Sequence, residues 1–315
     1  MKILLLEPLH PEAQALLAEV GDVVTAAQLD ADSLVADIAD AEAALTRGYG
    51  RLPGAVLRAG RSLRCVARCG VGTDNIDVAA ATELRLPVIY APGSTTTAVA
   101  EHVLMLMLAV ARRVIVFNRE VKAGHWAFRA QAGPSTELNG KALGVLGLGD
   151  IGRRVGELGQ AFGMEVFYWS RSSRDERWQY LERDDLLRRA DLLSINVALT
   201  PETHRLINRE SLSLMKPSAI IVNTARGDVI DEAALYDALA SGKLAGAGLD
   251  VIAADAPHAQ NPLWTLDNLI VTPHVAAVGD VAFRRMCMET AEQVARILRG
   301  QPPDPHFVRN PSVLA

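Results

Sequence analysis

The chain is predicted to be an α/β protein of two lobes, each a parallel sheet covered by helices on both faces, and three observations carry this expectation. Its 315 residues amount to about two domains of ordinary size. Short apolar runs alternate with helix-compatible segments along nearly the whole chain, the pattern of strands buried on both faces and joined by crossover helices. At Gly140 the rhythm restarts with stronger strands, the first of which runs into a glycine-rich turn.

In the first lobe KILLLE, DVVTA, EAALT, RCVAR and PVIYA read as strands, with PEAQALLAE, ADSLVADIA and DVAAATELR as helical segments between them. In the second lobe the strands are ALGVLG, EVFYW, DLLSINV, AIIVNTA, AGAGLDV and NLIVTPH, separated by segments such as IGRRVGELGQAFG and DEAALYDALASG. This set fits a doubly wound dinucleotide-binding sheet, whose ligands lie beyond the carboxyl ends of the strands. The apolar stretch VLMLMLAVARRVIVF is interrupted by Arg112 and Arg113. It falls short of the ~20 residues that span a bilayer and is expected to be a buried interdomain or interface helix. A final helix is expected from Gly279 to Gly300, before the Pro-rich, irregular tail QPPDPHFVRNPSVLA.

A net charge of -5 leaves no large basic field, which argues against nucleic acid as a partner. The three cysteines, Cys65, Cys69 and Cys287, lack the second pair a zinc site needs and are expected to be buried free thiols in a reducing compartment. MKILLLEPLHPEAQ is too short in its apolar run for a signal peptide and reads as a first strand, so a soluble, cytoplasmic protein is expected.

VLGLGDIGRRV places Gly147, Gly149 and Gly152 in the G-x-G-x-x-G spacing between a strand and a helix. The first glycine permits the tight turn, the second lets a pyrophosphate approach the backbone, and the third lets helix and strand pack closely. The helix opening at Asp150 and Ile151 then offers free N–H groups to the phosphates. About 20 residues on, an NAD site normally carries Asp or Glu for the ribose hydroxyls. Here the strand ends in FYWSRSSR, with Ser170, Arg171 and Arg174 where the acid would stand. Arginine pairs with phosphate bidentately and serine adds a donor, so the loop favours NADP, with NAD a possible second cofactor.

At the ends of the later strands stand Arg226, then Asp250 and Asp255, then His274. A cation, carboxylates and an imidazole facing one cleft form a usable set for carbonyl reduction. Arg226 would bind a carboxylate and polarise the carbonyl, His274 would pass the proton, and a carboxylate would orient the imidazole. Arg47 and Arg51, after EAALT, are candidates to meet a substrate phosphate or carboxylate, with a surface role as the default.

RCGVGTDNID, AVAEHVLMLMLA, VLGLGDIGRRV, NTARGDVIDEAAL, AGLDV and NLIVTPHVA occur in the order seen in the D-isomer-specific 2-hydroxyacid dehydrogenases, and the chain resembles that family over nearly its whole length. The resemblance implies a flavodoxin-like substrate domain, 1–97 and 279–315, with a Rossmann-type NAD(P)-binding domain, 98–278, inserted in it, usually in a homodimer. It implies that Arg226 binds substrate, that His274 is the proton donor or acceptor, and that the backbone around Val71 and Gly72 holds the substrate carboxylate. Thr224 and Asp250 would face the cofactor ribose and nicotinamide amide. The family typically has Glu then Pro shortly after the LDV run. LDVIAADAP instead places Asp255 and Ala256 there, keeping the charge on a side chain one methylene shorter.

The function expected is reduction of small 2-oxo acids, glyoxylate or hydroxypyruvate in kind, by NAD(P)H. The competing expectations are an NAD(P)H-sensing, corepressor-like binding protein and, among enzymes, a phosphoglycerate or formate-type dehydrogenase.

Overall fold

The computed structural model describes residues 1–253 and 259–314. In chain order the elements are β1 (Lys2–Leu5), α1 (Pro11–Ala18), β2 (Asp22–Thr25), α2 (Ala31–Ile38), β3 (Ala41–Thr46), α3 (Gly54–Ala59), β4 (Cys65–Arg68), α4 (Val78–Glu83) and β5 (Val88–Ile89). Two helices follow, α5 (Thr96–Ala111) and α6 (Val114–Lys122). Next come β6 (Ala142–Leu146), α7 (Asp150–Ala161), β7 (Glu165–Trp169), β8 (Gln179–Tyr180), α8 (Arg183–Arg189), β9 (Leu192–Ile195) and α9 (Arg209–Leu214). The remainder is β10 (Ile220–Asn223), α10 (Glu232–Ala240), β11 (Gly246–Leu249), β12 (Leu269–Val271) and α11 (Asp280–Leu298).

The chain divides into two compact units, Met1–Thr95 with Val278–Ala315, and Thr96–Ala277. In the first, five parallel strands lie in the order β2-β1-β3-β4-β5. Alternate side chains of each strand enter opposite layers. Ile3, Leu5, Leu45, Ala67 and Ile89 pack beneath α1 and α11, while Leu4, Ala44, Val66 and Val88 pack beneath α2, α3 and α4. Both faces being covered, the strands read as nearly unbroken apolar runs. Burial pushes the Cys65 thiol up to about 12, so it packs as an apolar group.

In the second unit seven parallel strands run β12-β11-β10-β9-β6-β7-β8. The order reverses between β6 and β9, which is where a doubly wound sheet opens its ligand crevice. Leu143, Val145, Tyr168 and Val222 face α5 and α7, and Leu146, Phe167, Ile195 and Ile221 face α8, α9 and α10. The seventh strand, β8, is an addition to the six expected: a two-residue edge pairing through Phe167↔Gln179 and Tyr168↔Tyr180. The apolar stretch read as one helix is two. Arg113 adopts φ +52°, which ends α5 and starts α6 in a new direction. No helix among the described residues is long and apolar enough to cross a membrane.

Candidate active site

The three glycines of the β6–α7 turn do separate jobs. Gly147 has φ +101°, and a Cβ there would stand 2.8 Å from the carbonyl carbon of Asn196 on the neighbouring strand's loop. At Gly152 a Cβ would stand 2.1 Å from the Gly147 oxygen, so only glycine lets α7 start this close to the strand. Gly149 is different: nothing lies within 4 Å of where its Cβ would be. Its open side, together with the exposed first turn at Asp150 and the half-buried Ile151, leaves room for a pyrophosphate at the start of α7. These residues fit a dinucleotide.

The loop after β7 sorts the three side chains that the sequence left equal. Ser170 is buried and its hydroxyl accepts from Ser173 N at 3.2 Å. The Arg174 Nη1 donates to the Ser170 and Ser173 carbonyls at 2.9 and 2.8 Å, and its guanidinium lies 4.3 Å from the Tyr180 ring centroid. Arg171 is exposed at the loop tip. The nearest acid downstream, Asp175, is paired with Arg177 at 2.8 Å and with Arg153. The Arg177 guanidinium, with Arg153 behind it, holds that carboxyl well below the usual carboxylate range. Asp175 is thus committed to Arg177 and Arg153, while the exposed Arg171 lies within electrostatic reach of Glu202.

Beyond β10, β11 and β12, which are adjacent and parallel, the polar residues line one edge of the sheet. Thr224 and Arg226 follow β10, both half-buried. The Arg226 backbone is fixed by Asn223, fully buried, whose Nδ2 donates to the Arg226 carbonyl at 2.9 Å and whose Oδ1 accepts from Ala225 N at 3.0 Å. The next residue, Gly227, packs flat on the segment after β11: a Cβ would stand 1.9 Å from the Ile252 carbonyl carbon. Asp250 is 1% exposed. Its carboxylate accepts from the Thr272 hydroxyl at 2.5 Å and from Val275 N and Ala276 N at 3.0 and 2.9 Å, so it builds the turn that carries His274. His274 N donates to the Asp250 carbonyl at 2.8 Å, and the residue stands exposed with φ +55°. Asp255, the expected partner of the imidazole, lies outside the described residues.

In the first unit Val71 and Gly72 follow β4 on a loop, with Val71 exposed. Gly70 before them takes φ +148°, and its carbonyl accepts from Ala91 N at 2.9 Å. Arg47 follows β3 and is half-buried, its guanidinium 5.2 Å from the Phe283 ring centroid; the surface role taken as its default is therefore incomplete.

Sequence reasoning leaves two residues of the second unit outside the site, His102 with a structural role and Asn223 with none. His102, on α5, stands with Nε2 2.9 Å from the Thr272 hydroxyl and 3.4 Å from Asp250 Oδ1. Since the Thr272 proton goes to Asp250, the Thr272 oxygen is left to accept from His102 Nε2–H. The signal available was a lone imidazole within an otherwise apolar helix. Asn223 was likewise visible only as a polar residue closing an apolar strand.

This arrangement has close parallels among known proteins. The family model described as D-isomer specific 2-hydroxyacid dehydrogenase, NAD binding domain, matches residues 104–276. The hydroxypyruvate reductase of Thermotoga maritima is 38% identical over 297 residues, covering 93% of this chain and 96% of the relative. The D-3-phosphoglycerate dehydrogenase of Methanocaldococcus jannaschii is 41% identical over 307 residues, which are 96% of this chain but only 58% of that longer protein. Among solved structures, the NADPH-dependent glyoxylate/hydroxypyruvate reductase of Sinorhizobium meliloti in complex with NADP and malonate superposes with a TM-score of 0.85 at 30% identity, covering 94% of this chain and 92% of that one. With the glycine turn, the reversed sheet order and the matched nucleotide unit all in agreement, the chain belongs to the D-isomer-specific 2-hydroxyacid dehydrogenases.

Proposed function

We propose that the protein is a reductase of small 2-oxo acids, of the glyoxylate or hydroxypyruvate kind, working with NADP in the cytoplasm. The observation that carries the reading is that Arg226, after β10, and His274, after β12, stand at the same edge of the sheet as the glycine turn after β6, each on a backbone fixed by a buried polar residue. Bound NAD(P)H supplies the hydride for the substrate's C2. Arg226 is assigned to hold the substrate carboxylate and polarise the carbonyl, and the backbone N–H groups at Val71 and Gly72 are assigned to the substrate carboxylate. His274 gives the proton to the carbonyl oxygen, with Asp255 assigned to charge and orient it. Thr224 is assigned to the ribose and nicotinamide side; the Asp250 carboxylate, buried and taken up by Thr272, Val275 and Ala276, is assigned to hold the turn behind it. The near-full-length match to a hydroxypyruvate reductase supports this reading over phosphoglycerate oxidation. Retention of both Arg226 and His274 supports turnover over cofactor sensing.

The test is NADPH oxidation across a panel of 2-oxo acids, in which an inert protein counts against the reading. The preference for NADP is assigned first to Arg171, which is exposed, whereas the Ser170 hydroxyl accepts and the Arg174 Nη1 donates within the loop. Arg171→Ala is expected to weaken NADPH binding about tenfold while leaving NADH within about twofold. Equal losses for both nucleotides would remove the 2′-phosphate from its role. A homodimer is supported by Ile115 and Trp126, large apolar side chains 55% and 68% exposed on and just after α6. Light scattering that returned the mass of one chain would count against it.

A further inference from the structure

Within the first unit, the loop after β3 is wrapped around a buried side chain from another strand. Glu7, just beyond β1, is 6% exposed. Its Oε2 accepts from Arg47 N at 2.7 Å, and its Oε1 accepts from Gly48 N at 2.8 Å, from Gly50 N at 3.0 Å and from Tyr49 N. The Thr46 hydroxyl stands 3.1 Å from Oε2. Successive backbone N–H groups turned to one point form a concavity for an anion, and here the chain supplies the anion itself. Burial alone would raise the Glu7 carboxyl; the backbone N–H groups of Arg47, Gly50, Gly48 and Tyr49 more than offset this and leave it below its ordinary value. The loop so fixed carries Arg47, whose guanidinium stacks over Phe283 and whose Nε is buried without a hydrogen-bond partner among the described residues.

We infer that Glu7 is a positioning residue for substrate: its carboxylate sets the Arg47–Gly50 loop so that Arg47 presents its guanidinium to the substrate's anionic end. This rests on the reductase reading proposed above. The loop has no helix or strand of its own. The Thr46 hydroxyl and Asn75 Nδ2 hold its far end through the Gly50 carbonyl at 2.7 and 2.8 Å. Among the described residues Glu7 alone gathers the N–H groups from Arg47 to Gly50, which sets the arginine's backbone to the tolerance that recognition of an anion needs. Glutamine cannot replace the carboxylate, because its NH₂ would face an N–H donor of the loop. Aspartate keeps the charge and falls one methylene short.

The test is a cycle of Glu7→Gln, Arg47→Ala and the double variant in the full-length chain, with Glu7→Asp alongside, using the 2-oxo acid that the wild type reduces fastest. Glu7→Gln is expected to raise KM roughly tenfold with kcat within about twofold. Glu7→Asp should fall between it and the wild type. In the Arg47→Ala background, Glu7→Gln should change KM by less than about twofold, because its effect passes through an arginine already removed. Backbone amide exchange at Arg47–Gly50 should accelerate in Glu7→Gln. An unchanged KM in Glu7→Gln, or effects that simply multiply in the double variant, would overturn the inference. Should Glu7→Gln fail to fold, Glu7→Asp carries the same comparison. An inert wild type removes the reductase reading itself, and amide exchange then decides alone whether Glu7 holds the loop.

Discussion

Asp250→Ala is expected to be the most destabilising single change at the candidate site, lowering the unfolding temperature of the nucleotide unit by about 6 °C or more. Asp250 is 1% exposed and serves three donors, the Thr272 hydroxyl and the N–H groups of Val275 and Ala276. Each buried donor left without an acceptor costs about 1–3 kcal/mol, and water entering the small cavity offsets part of this, for a net loss of about 3–5 kcal/mol. The same donors define the turn on which His274 sits, so kcat/KM should fall by about 10²-fold in the fraction that remains folded. Asp250→Asn keeps the shape and one acceptor oxygen, and should lose less on both counts. Thermal unfolding followed by circular dichroism, with kinetics at a temperature where all variants are folded, checks both parts. A wild-type unfolding temperature for Asp250→Ala would show that the turn at Thr272–Ala276 stands without it.

The legibility of this site in the sequence followed the range of the interactions involved. The strands could be read because each is an apolar run closed by a polar residue, and the glycine turn because every steric demand on it falls within a few residues or on one neighbouring backbone. Edge strand β8 is two residues among polar neighbours, and helix α3 is six residues opening on a glycine after Pro53, so neither carries enough pattern to be seen. The ties that organise the site are long in sequence: His102 to Thr272 spans 170 positions, and Glu7 to Gly50 spans 43. No periodicity encodes such pairs. The serine and arginine pattern of FYWSRSSR was visible as a departure from an acidic position, but the division of labour within it depends on where the Ser170 and Ser173 carbonyls point.

Replacing either Arg226 or His274 is expected to abolish most turnover without unfolding the protein, by about 10²–10³-fold in kcat/KM for Arg226→Ala and about 10²–10⁴-fold for a His274 variant. The backbone dictates which histidine variant is informative. With φ +55°, position 274 lies in the left-handed region, where asparagine is tolerated and a β-branched residue is strained. His274→Asn therefore removes the imidazole while preserving the turn, whereas a His274→Val loss would mix chemistry with strain. Arg226→Lys keeps the charge but loses the planar fork, and should recover little of the Arg226→Ala loss if the guanidinium holds carboxylate and carbonyl together. In the proposed reaction the two residues act on one carbonyl, one holding it and one protonating its oxygen, so the double variant should be little worse than the poorer single one. Cofactor affinity, read from NADPH fluorescence, should stay within about twofold in all of them, since the turn at Gly147–Gly152 is untouched. A His274→Asn enzyme with wild-type kcat/KM would move the proton to another donor, and multiplicative losses in the double variant would separate the two residues into independent sites.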